Sequence, residues 1–220
     1  MKFFGMWPRK SWVHWVSGCW LLGLVQLGFG QAQEPLHFHG QLMGGMCASQ
    51  IHGDGISGFN KFGLSGGVGI RIWREEEHRQ IAAAIVFTQK GSRRVPNPKQ
   101  NDFNTWRYRF TYIDVPILRH WHNPSGWWVG LGLQPSVLIG AEEDFNATGY
   151  SELTYVELYP WDLGGVAVAG VEWFDNLSLE VRLSQSLLPI SPRPETPIIQ
   201  FDNFMMNMAV QIMVSLQIGQ

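Results

Sequence analysis

His120 and His122 stand beside Ser125, and serine with histidine are the residue types of nucleophilic hydrolysis. A working triad also needs an acid within reach. The stretch around Pro124 supplies none, so no catalytic residue is assigned and the chain is not expected to be an enzyme. His37 and His39 fall on one face of an extended segment and suit a metal ion, but a third donor is missing. Glu142, Glu143 and Asp144 form an acidic run of the kind a divalent cation takes. Lys90, Arg93, Arg94, Lys99, Arg107 and Arg109 gather within residues 90–109, where they suit charge-assisted hydrogen bonds to phosphate. No cysteine and histidine cluster has zinc-site spacing, and no cofactor is expected.

These residues hang on a chain whose dominant period is two. In residues 62–72, Phe62, Leu64, Val68, Ile70 and Ile72 alternate with Gly63, Ser65, Gly67, Gly69 and Arg71, and residues 204–218 repeat the pattern. Alternating segments fall near 36–49, 61–73, 80–91, 107–121, 127–140, 163–174, 177–188 and 204–218. Soluble strands run about 5–6 residues, whereas a tilted strand crossing a bilayer needs about 9–11. Connections are short after the second, fourth and sixth segments and long after the others, the pattern of periplasmic turns and extracellular loops. The expected fold is therefore all-β, an eight-stranded antiparallel up-and-down transmembrane barrel. A soluble barrel would need a polar outer face, yet the second face is rich in Gly, Ala and Ser and only 15% of residues are charged.

Aromatic residues mark two expected girdles. Trp73, Trp121, Trp127, Trp128 and Trp173 border the short turns, and Phe59, Phe103, Trp106, Tyr159, Trp161 and Phe201 form the opposite set. Ile113, Val115 and Ile117 then face lipid, which turns Tyr112, Asp114 and Pro116 inward. A turn over 122–126 centred on Pro124 would set Asp114 across from Gln134 and Tyr112 from Ser136. For the sixth segment a two-residue turn at Asp175-Asn176 puts Ala167 and Ala169 inside. Pro116 and Pro135 each remove a ladder donor, so a bulge is expected where they meet.

An eight-stranded barrel is only wide enough for its own side chains. Arg71, Lys90, Asp114, Gln134, Glu180 and Arg182 are accordingly expected as a packed polar network in the lumen, with His37, His39 and Gln41 on the same side. Loop contacts are assigned to Arg93, Arg94, Tyr155, Tyr159 and Trp161. Aromatics beside acids in 141–162 suit a protein or sugar partner, and the competing expectation is that this loop folds against the basic one.

Residues 1–32 are expected to be a signal peptide, with Lys2, Arg9 and Lys10 heading an apolar run that ends at Gly30-Gln31-Ala32. A transmembrane helix is interrupted by His14, Ser17, Gly18 and Gln26, and a lipoprotein reading of Cys19 leaves too short an apolar region. The barrel domain then covers 33–220, and removal of the leader moves the formal charge from −2 to −5, which disfavours nucleic acid. Cys47 remains alone.

The segment TYIDVPILRHW, residues 111–121, resembles the corresponding strand of the PorT-like outer-membrane β-barrel proteins of Bacteroidetes-type bacteria. Phe87–Gly91, Gly44–Ser49, Lys61–Gly67, Gly130–Gln134 and Leu179–Leu183 carry the same resemblance in order. Departures are Ala82 and Ala84, where relatives often carry Gln and Glu, and an Ile-Gly-Gln end. The resemblance implies an outer-membrane location and a non-enzymatic role, structural or accessory to surface protein secretion. Implied partners are outer-membrane lipid, lipopolysaccharide and secretion or envelope proteins. The alternatives are a lipid-modifying hydrolase or a small-solute pore.

Overall fold

A strand that is oily on one face and polar on the other must choose which face to bury, and here the polar face is enclosed. The computed structural model describes residues 36–74, 79–101, 103–154, 156–174, 176–192 and 204–219. The expected leader, Tyr155 and Phe201 lie outside the described residues. The strands are β1 (Leu36–His52), β2 (Lys61–Arg74), β3 (Arg79–Lys90), β4 in two segments (Trp106–Asp114 and Ile117–His122), β5 (Trp127–Phe145), β6 (Trp161–Phe174), β7 (Leu177–Ser186) and β8 (Met206–Ile218). Each pairs antiparallel with the next. The ring closes where β1 pairs with β8, from Gly40↔Ile218 to His52↔Met206.

Alternation sets the two faces along nearly every strand. Val181, Leu183, Ile212 and Val214 are exposed on the outer wall, and Ile113, Val115 and Leu179 share it, half-exposed. Asp114, Glu180, Arg182, Gln211 and Ser215 are buried within. Strands of 17 residues in β1 and 19 in β5 exceed what a bilayer needs. At the end that carries the long loops, Ser151–Glu152 of the third long loop adds to β5 and Arg93–Arg94 to β4.

The two prolines break the ladder where they meet. β4 is interrupted at Val115 and Pro116, and the Val115 amide donates instead to the Pro135 carbonyl at 2.8 Å. Nearby, Thr111 pairs with Gly140 and Tyr112 with Leu138, leaving Ile139 as the extra residue of a bulge.

Three expectations need correction. Asp114 lies opposite Ser136 and Tyr112 opposite Leu138, so the β4–β5 register differs by two residues from one centred on Pro124. The cause is Gly126: its amide donates to the Asn123 carbonyl, Asn123 donates to Trp127, and φ of +83° at Gly126 makes a three-residue turn with a following bulge. A shift of two preserves parity, so Asp114 still meets a polar residue in Ser136, whereas Tyr112 meets Leu138 in place of the expected Ser136. On β6 the parity itself is reversed. Val166 and Val168 are buried in the lumen, while Ala167 and Ala169 face out, because Leu177 pairs with Phe174 but Ser178 pairs with Glu172, leaving Trp173 bulged. Finally, Trp128 is buried inside and takes no part in the girdle, and Trp73 is half-buried against His37 and His39. Trp121, Trp127 and Trp173 remain exposed on the outer wall.

Candidate functional site

Buried side chains line the lumen at both ends and in the middle. At the periplasmic end Trp128 forms a floor, with the Arg71 guanidinium 4.9 Å from its ring centroid and His120 stacked at 4.4 Å. Two glycines make room for this floor: a Cβ on Gly170 would come within 2.4 Å of the Trp128 ring, and one on Gly130 within 2.5 Å of His120. With its amide turned so that oxygen faces the cation, Gln41 accepts from Arg71 Nε at 2.7 Å and Nη2 at 3.0 Å. Ala82, Leu118, Val166 and Val168 pack around the indole.

Charged and amide groups occupy the middle. Lys90 Nζ donates to Asp114 Oδ1 at 3.0 Å and lies 4.8 Å from the Tyr112 ring centroid. Asn207 Nδ2 donates to the Tyr112 hydroxyl at 3.2 Å and to Asp162 Oδ2 at 3.0 Å, and Ser186 donates to the same carboxylate at 2.9 Å. Glu180 and Arg182 pair at 2.7 Å, and Arg182 Nη2 reaches Met43 Sδ at 3.4 Å. Gln211 donates to Ser65 and Thr88 at 2.8 and 3.2 Å. Of the residues expected in the network, Lys90 meets Asp114 and Glu180 meets Arg182. Gln134 is buried in register with Gly164 and does not face Asp114.

An apolar lid closes the extracellular end. Ile51, Tyr108, Phe110 and Tyr112 from strand ends are covered by Ile190 and Met205 of the fourth long loop. Leu153, Val156 and Leu158 of the third loop pack against them. The lid and the Trp128 floor escaped the sequence reading, although inward parity was legible for Tyr108, Phe110 and Trp128.

The extracellular rim carries the other candidates. Arg109 pairs with Glu142 at 3.0 Å and lies 3.5 Å from the Tyr150 ring centroid, and Arg107 approaches Asp144 at 3.8 Å. Glu143 instead accepts from the Thr154 amide at 3.2 Å. The acidic run is thus divided between strand pairing and loop anchoring, and does not converge on a cation. The third loop pairs with β5 through Ser151–Glu152, not through Leu153–Leu158, and sets Tyr150 against Arg109 of β4. Arg93 and Arg94 are half-buried in register with Arg107 and Trp106. Tyr159 and Trp161 stack at 6.0 Å and are exposed. In the first loop, burial pushes the Asp54 carboxyl from 3.8 up to about 6, against the opposing pull of Ser92 and the Ile56 amide, which donates to it at 2.8 Å.

At the periplasmic turn the Ser125 amide donates to Asn123 Oδ1 at 3.0 Å, while His120 is turned into the lumen against Trp128 and His122 approaches Glu172 at 3.7 Å. His37 and His39 are engaged with Trp73 at 5.6 and 4.4 Å.

Among solved structures, Ail, the attachment invasion locus protein of Yersinia pestis, in complex with the heparin analogue sucrose octasulfate, is 10% identical. The alignment covers 82% of this chain and 99% of that one, with a TM-score of 0.47. Neisserial surface protein A is 12% identical, over 83% of this chain and 99% of that one, with a TM-score of 0.45. No curated protein sequence matches the chain. The family described as outer membrane protein beta-barrel domain matches residues 29–191. With that match spanning most of the ring of strands, the chain belongs to the outer-membrane β-barrel family.

Proposed function

We propose that this outer-membrane barrel is a non-enzymatic protein that works through its extracellular rim, as a structural element of the envelope or an accessory to surface protein secretion. What supports the reading is the set of buried side chains in the bore: Trp128 below, ion-paired and hydrogen-bonded groups between, and an apolar cluster above. A packed lumen leaves the loops and outer wall as the working surfaces. On the rim, Arg93 and Arg94 offer guanidinium groups of the type that binds lipopolysaccharide phosphate bidentately. Tyr159 and Trp161, with exposed Phe103 and Phe145, offer aromatic area suited to a protein partner.

The test is deletion of the gene followed by profiling of the surface proteome, with planar-bilayer conductance of the purified chain alongside. Loss of a defined set of surface proteins supports the accessory role, and an unchanged surface with a weakened envelope supports the structural one. Steady conductance steps would overturn the closed-bore reading, and altered lipid composition in the deletion strain would favour a hydrolase.

A further inference from the structure

The outward series of β4 is apolar through the membrane band except at one position: Ile113, Val115 and Ile117 are followed by Arg119 and then Trp121. Arg119 is exposed, and its register neighbours are Ile81 on β3 and Leu131 on β5. These are 56% and 59% exposed on the same wall, so a cation is framed by hydrocarbon-facing side chains. Its guanidinium carbon lies 6.0 Å from the Trp121 ring centroid. Arg119 belongs to none of the ion pairs among the described residues.

A strand rises about 3.3 Å per residue and tilts by about 35–45°, which puts the Arg119 backbone about 5 Å deeper than that of Trp121. From there the aliphatic stem runs along the wall while the charged head returns to the girdle. At that level of the periplasmic leaflet the acceptors are phospholipid phosphates, whose paired oxygens match the guanidinium fork. With no carboxylate among the described residues in ion-pair reach of Arg119, the positive charge favours a lipid of net negative charge over a zwitterion, whose phosphate is already compensated. The connection from β2 to β3 carries Glu75, Glu76 and Glu77 in sequence, so a preference for anionic lipid does not follow from a generally basic rim.

We infer that Arg119 and Trp121 form a binding site for the phosphate of an anionic phospholipid in the periplasmic leaflet, whose acyl chains lie over Ile81, Ile117 and Leu131. This site is at the opposite end of the barrel from the rim discussed above and stands independently of it.

The full chain is folded into nanodiscs of phosphatidylcholine with a minor fraction of phosphatidylglycerol, and the lipids it retains are counted by native mass spectrometry. Relative to phosphatidylcholine, Arg119→Gln is expected to retain about fivefold less phosphatidylglycerol, with Arg119→Lys in between. Equal retention by wild type and Arg119→Gln overturns the inference. Should the variants fail to fold, the wild type decides it alone: brominated phosphatidylglycerol must quench its tryptophan fluorescence more than brominated phosphatidylcholine, and equal quenching refutes the site.

Discussion

Lys90 and Asp114 offer the sharpest test of the filled lumen, because their side chains are 3% and 1% exposed and each is the other's ion-pair partner. Lys90→Met leaves the buried Asp114 carboxylate inside the barrel without its ammonium partner. Removing one member of a buried pair costs about 3–5 kcal/mol, more than a hundredfold in the ratio of folded to unfolded chain. Asp114→Asn should cost less, since the Lys90 ammonium keeps its contact with the Tyr112 ring at 4.8 Å, worth about 0.5–2 kcal/mol. Replacing both, as Lys90→Met with Asp114→Leu, removes the charge altogether and should return stability to within about 1–2 kcal/mol of wild type. Reversible urea unfolding in lipid vesicles, read by tryptophan fluorescence, gives all four corners of the cycle. Single variants that each cost under about 1 kcal/mol, with no coupling between them, would mean that the pair is hydrated as at a surface. In that event the bore is open to water and the closed-lumen reasoning fails.

Gly170→Val should destabilise the barrel by about 1–3 kcal/mol through collision with Trp128, and a second change, Trp128→Leu, should recover part of that loss in the same unfolding assay. Cys47 is fully buried between floor and lid, so a maleimide should leave it unmodified in the folded barrel and label it after denaturation; rapid labelling of the folded form would show an open path. For Asp54 the folded-state value of about 6 lies above the ordinary 3.8. Its contribution is therefore fully present below about pH 4 and lost as pH rises through 6, a change of up to roughly 3 kcal/mol. Midpoints measured at pH 4.5 and 7.5 should differ in that sense for wild type, and the difference should shrink in Asp54→Asn.

The alternation of Phe62 to Ile72 and of Met206 to Ile218 was enough to tell wall from lumen, since a period of two fixes every side chain once one is placed. It failed on β6, where the sequence from Gly164 to Gly170 has small or branched apolar residues on both faces and hydropathy does not alternate. There the bulge at Trp173 decides, and a bulge leaves no compositional mark. Trp127-Trp128 shows the complementary case: both were assigned to the girdle by residue type, although adjacent strand residues must point to opposite sides. Gly130 and Gly170, inward and small, were the signal that one indole needed room. The candidate pairs of the lumen followed from parity and charge alone, whereas Asn207 and Asp162 joined the network through contacts made across the bore, which a strand-by-strand reading does not see.

Gln41 and Ser215 touch across the β1–β8 seam although 174 positions separate them. Every other strand finds its partner in an adjacent hairpin, but this junction waits for the last stretch of polypeptide. Until it forms, β1 and β8 each present a row of unpaired amides and carbonyls, which hydrocarbon penalises by several kcal/mol per group. Half-built forms therefore have no resting place in the bilayer. The chain must be escorted whole to its membrane and inserted in one cooperative event, with its first and last strands zipped together at the end.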